Sequence, residues 1–355
     1  MPANYLILSL DGGGIRGLLT ALVIQRLQAE LKVLDRVKLL AGTSTGGIMA
    51  LGLAGKAPIE KLVGLYQNGG ETIFKPLEPG GLKGIVLNPV LDLVDGALHK
   101  IERLKALGVS SRDLVYVKYS NQGLLKLVKS VFPTEPTLKS LNPDKHVLVT
   151  TFRLDPDGAG SWHPVALHNL PTPGNDPDQT HVVEAAMCTS AAPVFFPPYR
   201  HRQLGYCVDG GVFANSPGSV ALATAIAAKV DLASIRLLSI GTGHTVSRLP
   251  VPQDTLLKDP EDYGVAAWLS PSARGQTPAL PIVSAFFDAT SLADILVCRQ
   301  LLKEGDRYRR IQVNLTQPVG LDDWKKTDQL EKIASDFFST VAWTEHVKWV
   351  KESFV

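Results

Sequence analysis

Cysteine is nearly absent from this chain. Three occur in 355 residues, Cys188, Cys207 and Cys298. They are too scattered for a zinc cluster or a disulfide framework, so a reducing compartment is the economical expectation. Charge of one sign is missing as well: 36 Lys and Arg stand against 34 Asp and Glu, for a formal net charge of +2. No global field therefore favours nucleic acid. The opening apolar run, Tyr5–Leu10, is too short for a signal core and has no basic residue before it. No apolar stretch reads as approaching the ~20 residues of a membrane-spanning helix. The expectation is a cytoplasmic protein that can still visit a membrane surface peripherally.

Apolar residues make up 45% and charged residues 20%, enough for a sizeable core. Tyr5–Leu10 predicts a buried strand, and Leu18, Leu19, Leu22, Val23, Leu27 and Leu31 follow at helical spacing. Val37–Ala41 predicts a second strand, and Ile48–Leu53 a helix after it. Further strands are expected at His146–Phe152, Ile235–Ile240 and Arg309–Leu315. Alternating strands and helices predict an α/β fold with a mainly parallel central sheet flanked by helices. Leu330, Ile333, Phe337 and Val341 predict one long amphipathic C-terminal helix. With no repeat or low-complexity linker, 1–355 reads as a single domain. It carries an insertion or lid around 70–145 and a helical extension around 320–355.

Gly42-Thr43-Ser44-Thr45-Gly46 fits G-x-S-x-G. That pattern puts a serine on a sharp strand-to-helix turn and exposes its hydroxyl at the sheet edge. A helix beginning at Thr45 would point its positive end at charge developing on a substrate. Asp11-Gly12-Gly13-Gly14-Ile15-Arg16-Gly17, directly after the first strand, formally satisfies G-x-G-x-x-G. A dinucleotide site, however, expects an acidic residue at the end of the second strand. Here that strand ends in Thr43-Ser44, and Asp35 lies before it. A Walker loop fails too, because no Gly-Lys-Ser/Thr follows. The alternative is an oxyanion hole, in which successive glycines let backbone N–H groups converge on one point.

A base is harder to find. None of the eight histidines stands in a triad motif, and His244, just after a strand, is the best of them. Asp209, between an apolar strand end and Gly210-Gly211, is better placed to reach a neighbouring loop. Ser216 before Pro217 looks like a helix cap, with a helix running through Ala228.

Four blocks now stand in order. They are Asp-Gly-Gly-Gly-Ile-Arg-Gly from Asp11, Gly-Thr-Ser-Thr-Gly from Gly42, Thr189-Ser190-Ala191-Ala192-Pro193-Val194-Phe195-Phe196-Pro197-Pro198, and Asp-Gly-Gly-Val-Phe-Ala-Asn from Asp209. Together they resemble the patatin-like phospholipases. The resemblance implies a three-layer α/β/α fold and a Ser–Asp dyad, with Ser44 as nucleophile and Asp209 as general base. It also implies an oxyanion hole from the amides of Gly12, Gly13 and Gly14, helped by Thr45, and an acyl lipid as substrate. Asp11, Arg16, Gly17, Gly42, Gly46, Gly210 and Gly211 would support the motifs. No metal or organic cofactor is required by such chemistry. Other readings are a non-catalytic lipid-binding, storage or scaffold relative, and a dinucleotide-dependent enzyme.

Three points stay open on the residues alone. Arg16 either braces the glycine loop or meets a lipid phosphate. An ordinary carboxylate, with a pKa near ~4, is a poor base for a serine hydroxyl. Between His99 and Phe132, seven Lys or Arg face two acidic residues, interleaved with Leu124, Leu125, Leu127, Val128 and Val131. That stretch is either a lipid-facing amphipathic surface or a solvated helix whose apolar side packs on the core.

Overall fold

A computed structural model describes residues 4–78, 116–154, 161–245, 259–270 and 278–354. An eight-stranded mixed sheet runs through them in the order β5-β6-β3-β2-β1-β7-β8, with β4 beside β3. The strands are β1 (Tyr5–Leu10), β2 (Leu39–Thr43), β3 (His146–Leu154), β4 (His163–His168), β5 (Tyr199–His201), β6 (Gly205–Asp209), β7 (Ile235–Ile240) and β8 (Tyr308–Ile311). The five strands from β3 to β8 along that order are parallel. β4, β5 and β6 are antiparallel additions. β1 and β2 are apolar runs buried almost throughout, as strands covered on both faces must be.

Helices cover both faces. α1 (Gly17–Leu31) and α2 (Thr45–Ala54) follow β1 and β2, and α3 (Ile59–Ile73) packs on α1. All ten residues of α2 are buried, which suits a helix that is apolar or glycine at every position after Thr45. α4 is Gln122–Val131, α5 Val182–Thr189, α6 Gly218–Ala227 and α7 Pro281–Leu302.

Register, more than any single motif, assembles the site. Thr150 of β3 pairs with Thr43 of β2 on one edge and with Ala166 of β4 on the other. The next residue, Thr151, pairs with Asp209 of β6 and Val165 of β4. β2 and β6 therefore occupy the same edge of β3, end to end. Ser44, just past β2, and Asp209, the last residue of β6, meet where one strand gives way to the other.

Several expectations are corrected. The C-terminal helix is two helices, α8 (Thr327–Phe338) and α9 (Val341–Phe354). Thr340 Oγ1 accepts from the Trp343 amide at 3.2 Å, starting a new helix where the apolar spacing suggested continuation, and Val341 is exposed. Ser216 does not cap α6. Its hydroxyl donates to Asp294 Oδ2 at 2.7 Å, and Asp294 Oδ1, from α7, takes the Ser219 amide of the first turn. The reading that no apolar stretch nears membrane-spanning length also fails: the 22 residues of α7 are long and apolar enough. Of the 70–145 insertion, 79–115 lies outside the described residues, as does the start of the basic stretch. Its described part, α4, turns Leu124 and Val128 into the core, while Lys129 pairs with Glu135.

Candidate active site

Ser44 sits between β2 and α2 with φ 54° and ψ −123°, a conformation that L-residues avoid. The surroundings hold it there. The Ser44 amide donates to Thr189 Oγ1 at 2.9 Å, and the Ile48 amide donates to Ser44 O at 3.0 Å. Gly42 and Gly46 allow the tight turn: a Cβ on Gly46 would lie 2.2 Å from Leu10 O, and one on Gly42 would lie 2.1 Å from Gly46 O. Thr45 is fixed by Tyr66, whose hydroxyl accepts from Thr45 Oγ1 at 2.6 Å and donates to Thr45 O at 3.0 Å.

The glycine loop lies against this elbow. A Cβ on Gly12 would come 3.3 Å from Ser44 Cβ and 2.3 Å from Asn215 Oδ1. The Gly12 amide, however, donates to Asn215 O at 2.9 Å and is not free for an oxyanion. That removes Gly12 from the expected donor set. The amides of Gly13, Gly14 and Thr45 have no acceptor among the described residues. Gly14 has φ +56° and lies against Leu321 O, which takes the Ile15 amide at 2.9 Å. Gly17 packs on Thr45 and Gly13 on Thr242. Arg16 braces the loop, its Nε donating to Gly13 O at 3.4 Å.

Asp11 anchors the loop at its start. Its carboxylate receives both terminal nitrogens of Arg310, at 2.8 and 2.5 Å, and both residues are buried. Arg310 also donates to Ser239 Oγ at 2.7 Å and Gln312 Oε1 at 3.0 Å. Sequence reasoning missed Arg310 because the loop and β8 are joined only by the sheet. It also gave no role to Asn215, although that residue closes the fourth motif block. Besides its carbonyl bond, Asn215 Nδ2 donates to Gly12 O at 3.5 Å and Ser291 Oγ at 3.0 Å, tying the loop to α7. Thr242 Oγ1 adds a bond to Gly12 O at 3.0 Å.

Asp209 is fully buried. Its Oδ1 accepts from the Gly211 amide at 2.7 Å, while Oδ2 has no hydrogen-bond partner. Gly210 fits against Thr150 of β3, where a Cβ would clash. Burial pushes the carboxyl up to about 7, and the nearby Ser44 hydroxyl and Gly211 amide pull it back. In place of an ordinary carboxylate, the fold thus supplies one suited to accepting a proton near neutral pH. His244 is exposed and lies in a neighbouring cavity with Arg16 and Asp288, not in the one that holds Ser44.

Ser44 and Asp209 line one small cavity, with about 70 Å³ of internal space. Ile48, Ile73, Phe74, Leu124, Phe195, Phe196 and Phe287 make its wall mostly apolar. Lys118 lies over the Phe195 ring at 5.0 Å.

A strained serine at a strand–helix turn thus lies beside a buried carboxylate and unpaired loop amides, around one apolar cavity. The chain belongs to the patatin-like phospholipase family, whose sequence model matches residues 8–222. Among its relatives is a putative sporulation hydrolase, CotR, of Bacillus subtilis, 28% identical over 87% of each chain. A cGAMP-activated phospholipase of Pseudomonas aeruginosa is 32% identical over 67% of this chain and 62% of its own length. Patatin-like protein 1 of Arabidopsis thaliana is 27% identical over 86% of this chain and 73% of its own. The chain is therefore a lipid ester hydrolase rather than a dinucleotide-dependent enzyme.

Proposed function

We propose that Ser44 attacks the acyl carbonyl of a phospholipid, lysophospholipid or galactolipid while Asp209 Oδ2 takes its proton. The ester C–O bond then breaks, Asp209 returns its proton to the departing alcohol, and water activated by the freed carboxylate hydrolyses the acyl-enzyme, releasing the fatty acid and Ser44. Amides of Gly13, Gly14 and Thr45 receive the oxyanion, aided by the N-terminus of α2, and each such donor is worth roughly 3 kcal/mol. The apolar wall from Ile48 to Phe287 takes the acyl chain. The reaction runs on a lipid aggregate approached from the cytoplasm, and three buried, unpaired thiols suit that reducing setting.

The observation that carries this reading is the buried Asp209 beside Ser44, with one oxygen unpaired and its pKa raised to about 7. Fatty-acid release from mixed phospholipid and lysophospholipid micelles tests it, with Ser44→Ala and Asp209→Asn alongside. Loss of at least about 10³-fold is expected in each folded variant. Release that persists in Ser44→Ala would overturn the reading. A base must be ionised to accept a proton, so kcat/KM should climb as pH rises and level off above about 7. A profile flat from pH ~5 to ~8 would remove Asp209 from that role.

A further inference from the structure

α7 has two faces of opposite fate. One is docked: Phe287, Asp294, Cys298 and Leu302 are buried. Asp294 holds α6 through Ser216 and Ser219. These contacts keep α7 on the protein, so its membrane-like composition is not that of a free span. The other face points to solvent, yet it is apolar. Phe286, Leu292, Leu296, Val297 and Leu301 are exposed by 43–64%. They extend over roughly 22 Å at 1.5 Å per residue. A helix exposed only to water normally puts charge there. Here Asp288 and Arg299 fall at the margin of the face, and its centre holds Phe286, Ala289, Ala293 and Leu296, with Gln300 as the one polar side chain near its C-terminal end. On the adjoining short helix, Val265–Trp268, Val265 is exposed as well, and so is Leu269 just past its end.

We propose that this outward face of α7 rests on the lipid aggregate that contains the substrate. The inference deepens the lipid-hydrolase reading and names the surface that reading lacks. Two observations choose lipid as the occupant. Phe287, next to Phe286 on the same helix, lines the Ser44 cavity, so the apolar face and the apolar cavity share one element. In addition, the enzyme's substrate class resides in aggregates, which a water-facing charged surface would not engage by burial of apolar area. The basic α4 stretch cannot supply that face, since its apolar side is in the core.

Flotation of Ser44→Ala protein with phosphatidylcholine vesicles measures attachment without turnover, so failure of the dyad mechanism does not affect it. The same protein carrying Leu292→Asp and Leu296→Asp should partition about tenfold less, because attachment scales with apolar area buried. Partition should survive about 0.5 M salt, where charge-driven attachment is screened. With Ser44 intact, the ratio of vesicle to soluble butyrate-ester hydrolysis should fall similarly. Leu292→Gln with Leu296→Gln gives the same reading should the aspartates prevent folding. Equal flotation with and without the substitutions overturns the proposal. So does a parent protein that ignores vesicles and is a dimer in light scattering, split to monomers by the same substitutions: the occupant is then a second copy.

Discussion

Asp209 serves catalysis and stability in opposite directions. Burial lifts its pKa from 3.8 in an unfolded chain to about 7 in the fold. The folded state thus binds the proton more tightly, and the group's contribution to stability is complete only below pH ~4. It declines as pH rises from ~4 through 7, because the fold must then hold an ionised carboxylate without a full set of partners. A tenfold change in proton affinity is worth about 1.4 kcal/mol, so the loss above pH 7 reaches about 4 kcal/mol. Asp209→Asn keeps an oxygen for the Gly211 amide and removes the buried charge. It should raise the melting temperature at pH 8, have little effect at pH 4, and abolish fatty-acid release. Equal melting of both proteins at pH 8 would show that Asp209 is not strained in the fold. Gly12 tests geometry at the same scale. A Cβ there would sit 2.3 Å from Asn215 Oδ1 and beside Ser44. Gly12→Ala should therefore cost about 10²-fold in kcat, as misplacement near a reacting group does, and lower the melting temperature, because buried, hydrogen-bonded Asn215 has to shift.

Elements are held to each other by links that no sequence block displays. The Asp11–Arg310 pair ties the end of β1 to β8, and Arg310 lies beyond the 8–222 family match. Asp11→Ala would strand a buried guanidinium at a cost of about 3–5 kcal/mol in a urea melt. Asp11→Leu with Arg310→Met should cost less than Asp11→Ala alone; a double variant as unstable as the sum of the singles would argue against an isolated pair. Much of the sheet was legible in the chain. β1, β2, β3 and β7 are largely apolar runs in parallel register, found close to where hydrophobic pattern placed them, whereas β8, Tyr-Arg-Arg-Ile, overlaps the expected 309–315 strand only at 309–311. Asp209, Ser44 and the glycine loop were legible as well, because glycines and a lone carboxylate mark unusual backbone. β4 and β5 were missed: His163–His168 is exposed at its start and Tyr199–His201 has three residues, so neither shows a buried run. The Asn215, Thr189, Thr242 and Arg310 contacts were illegible for another reason. Each depends on which strands neighbour which, and sequence spacing does not encode that order. A capping threonine marks the break at Ser339-Thr340, but the apolar spacing on either side masks it. Thr340→Ala should cost about 1 kcal/mol by losing that cap.

At the level of the molecule, the four motif blocks are not a self-sufficient unit. β7 pairs with every residue of β1, and β8 pairs with β7; both come after residue 222. Without them β1, largely apolar and buried, becomes an open edge, which invites association with other chains. α7 fixes the first turn of α6 through Asp294 and binds Asn215 through Ser291. Leu321 O holds the Ile15 amide, and Leu330, Trp343, Trp349 and Val350 complete the core beside α1. The glycine loop is thus positioned largely from the C-terminal third. A chain ending at residue 222 should express as aggregated or unfolded protein and release no fatty acid. The whole chain should unfold in one transition, with near-ultraviolet circular dichroism, tryptophan fluorescence and loss of activity coincident in urea. Trp343 and Trp349, far from Ser44 in sequence, make that comparison informative. If tryptophan fluorescence changed well before activity was lost, the C-terminal helices would be a separately folding cap. A soluble, active fragment ending at 222 would go further and show that the loop needs none of these later contacts.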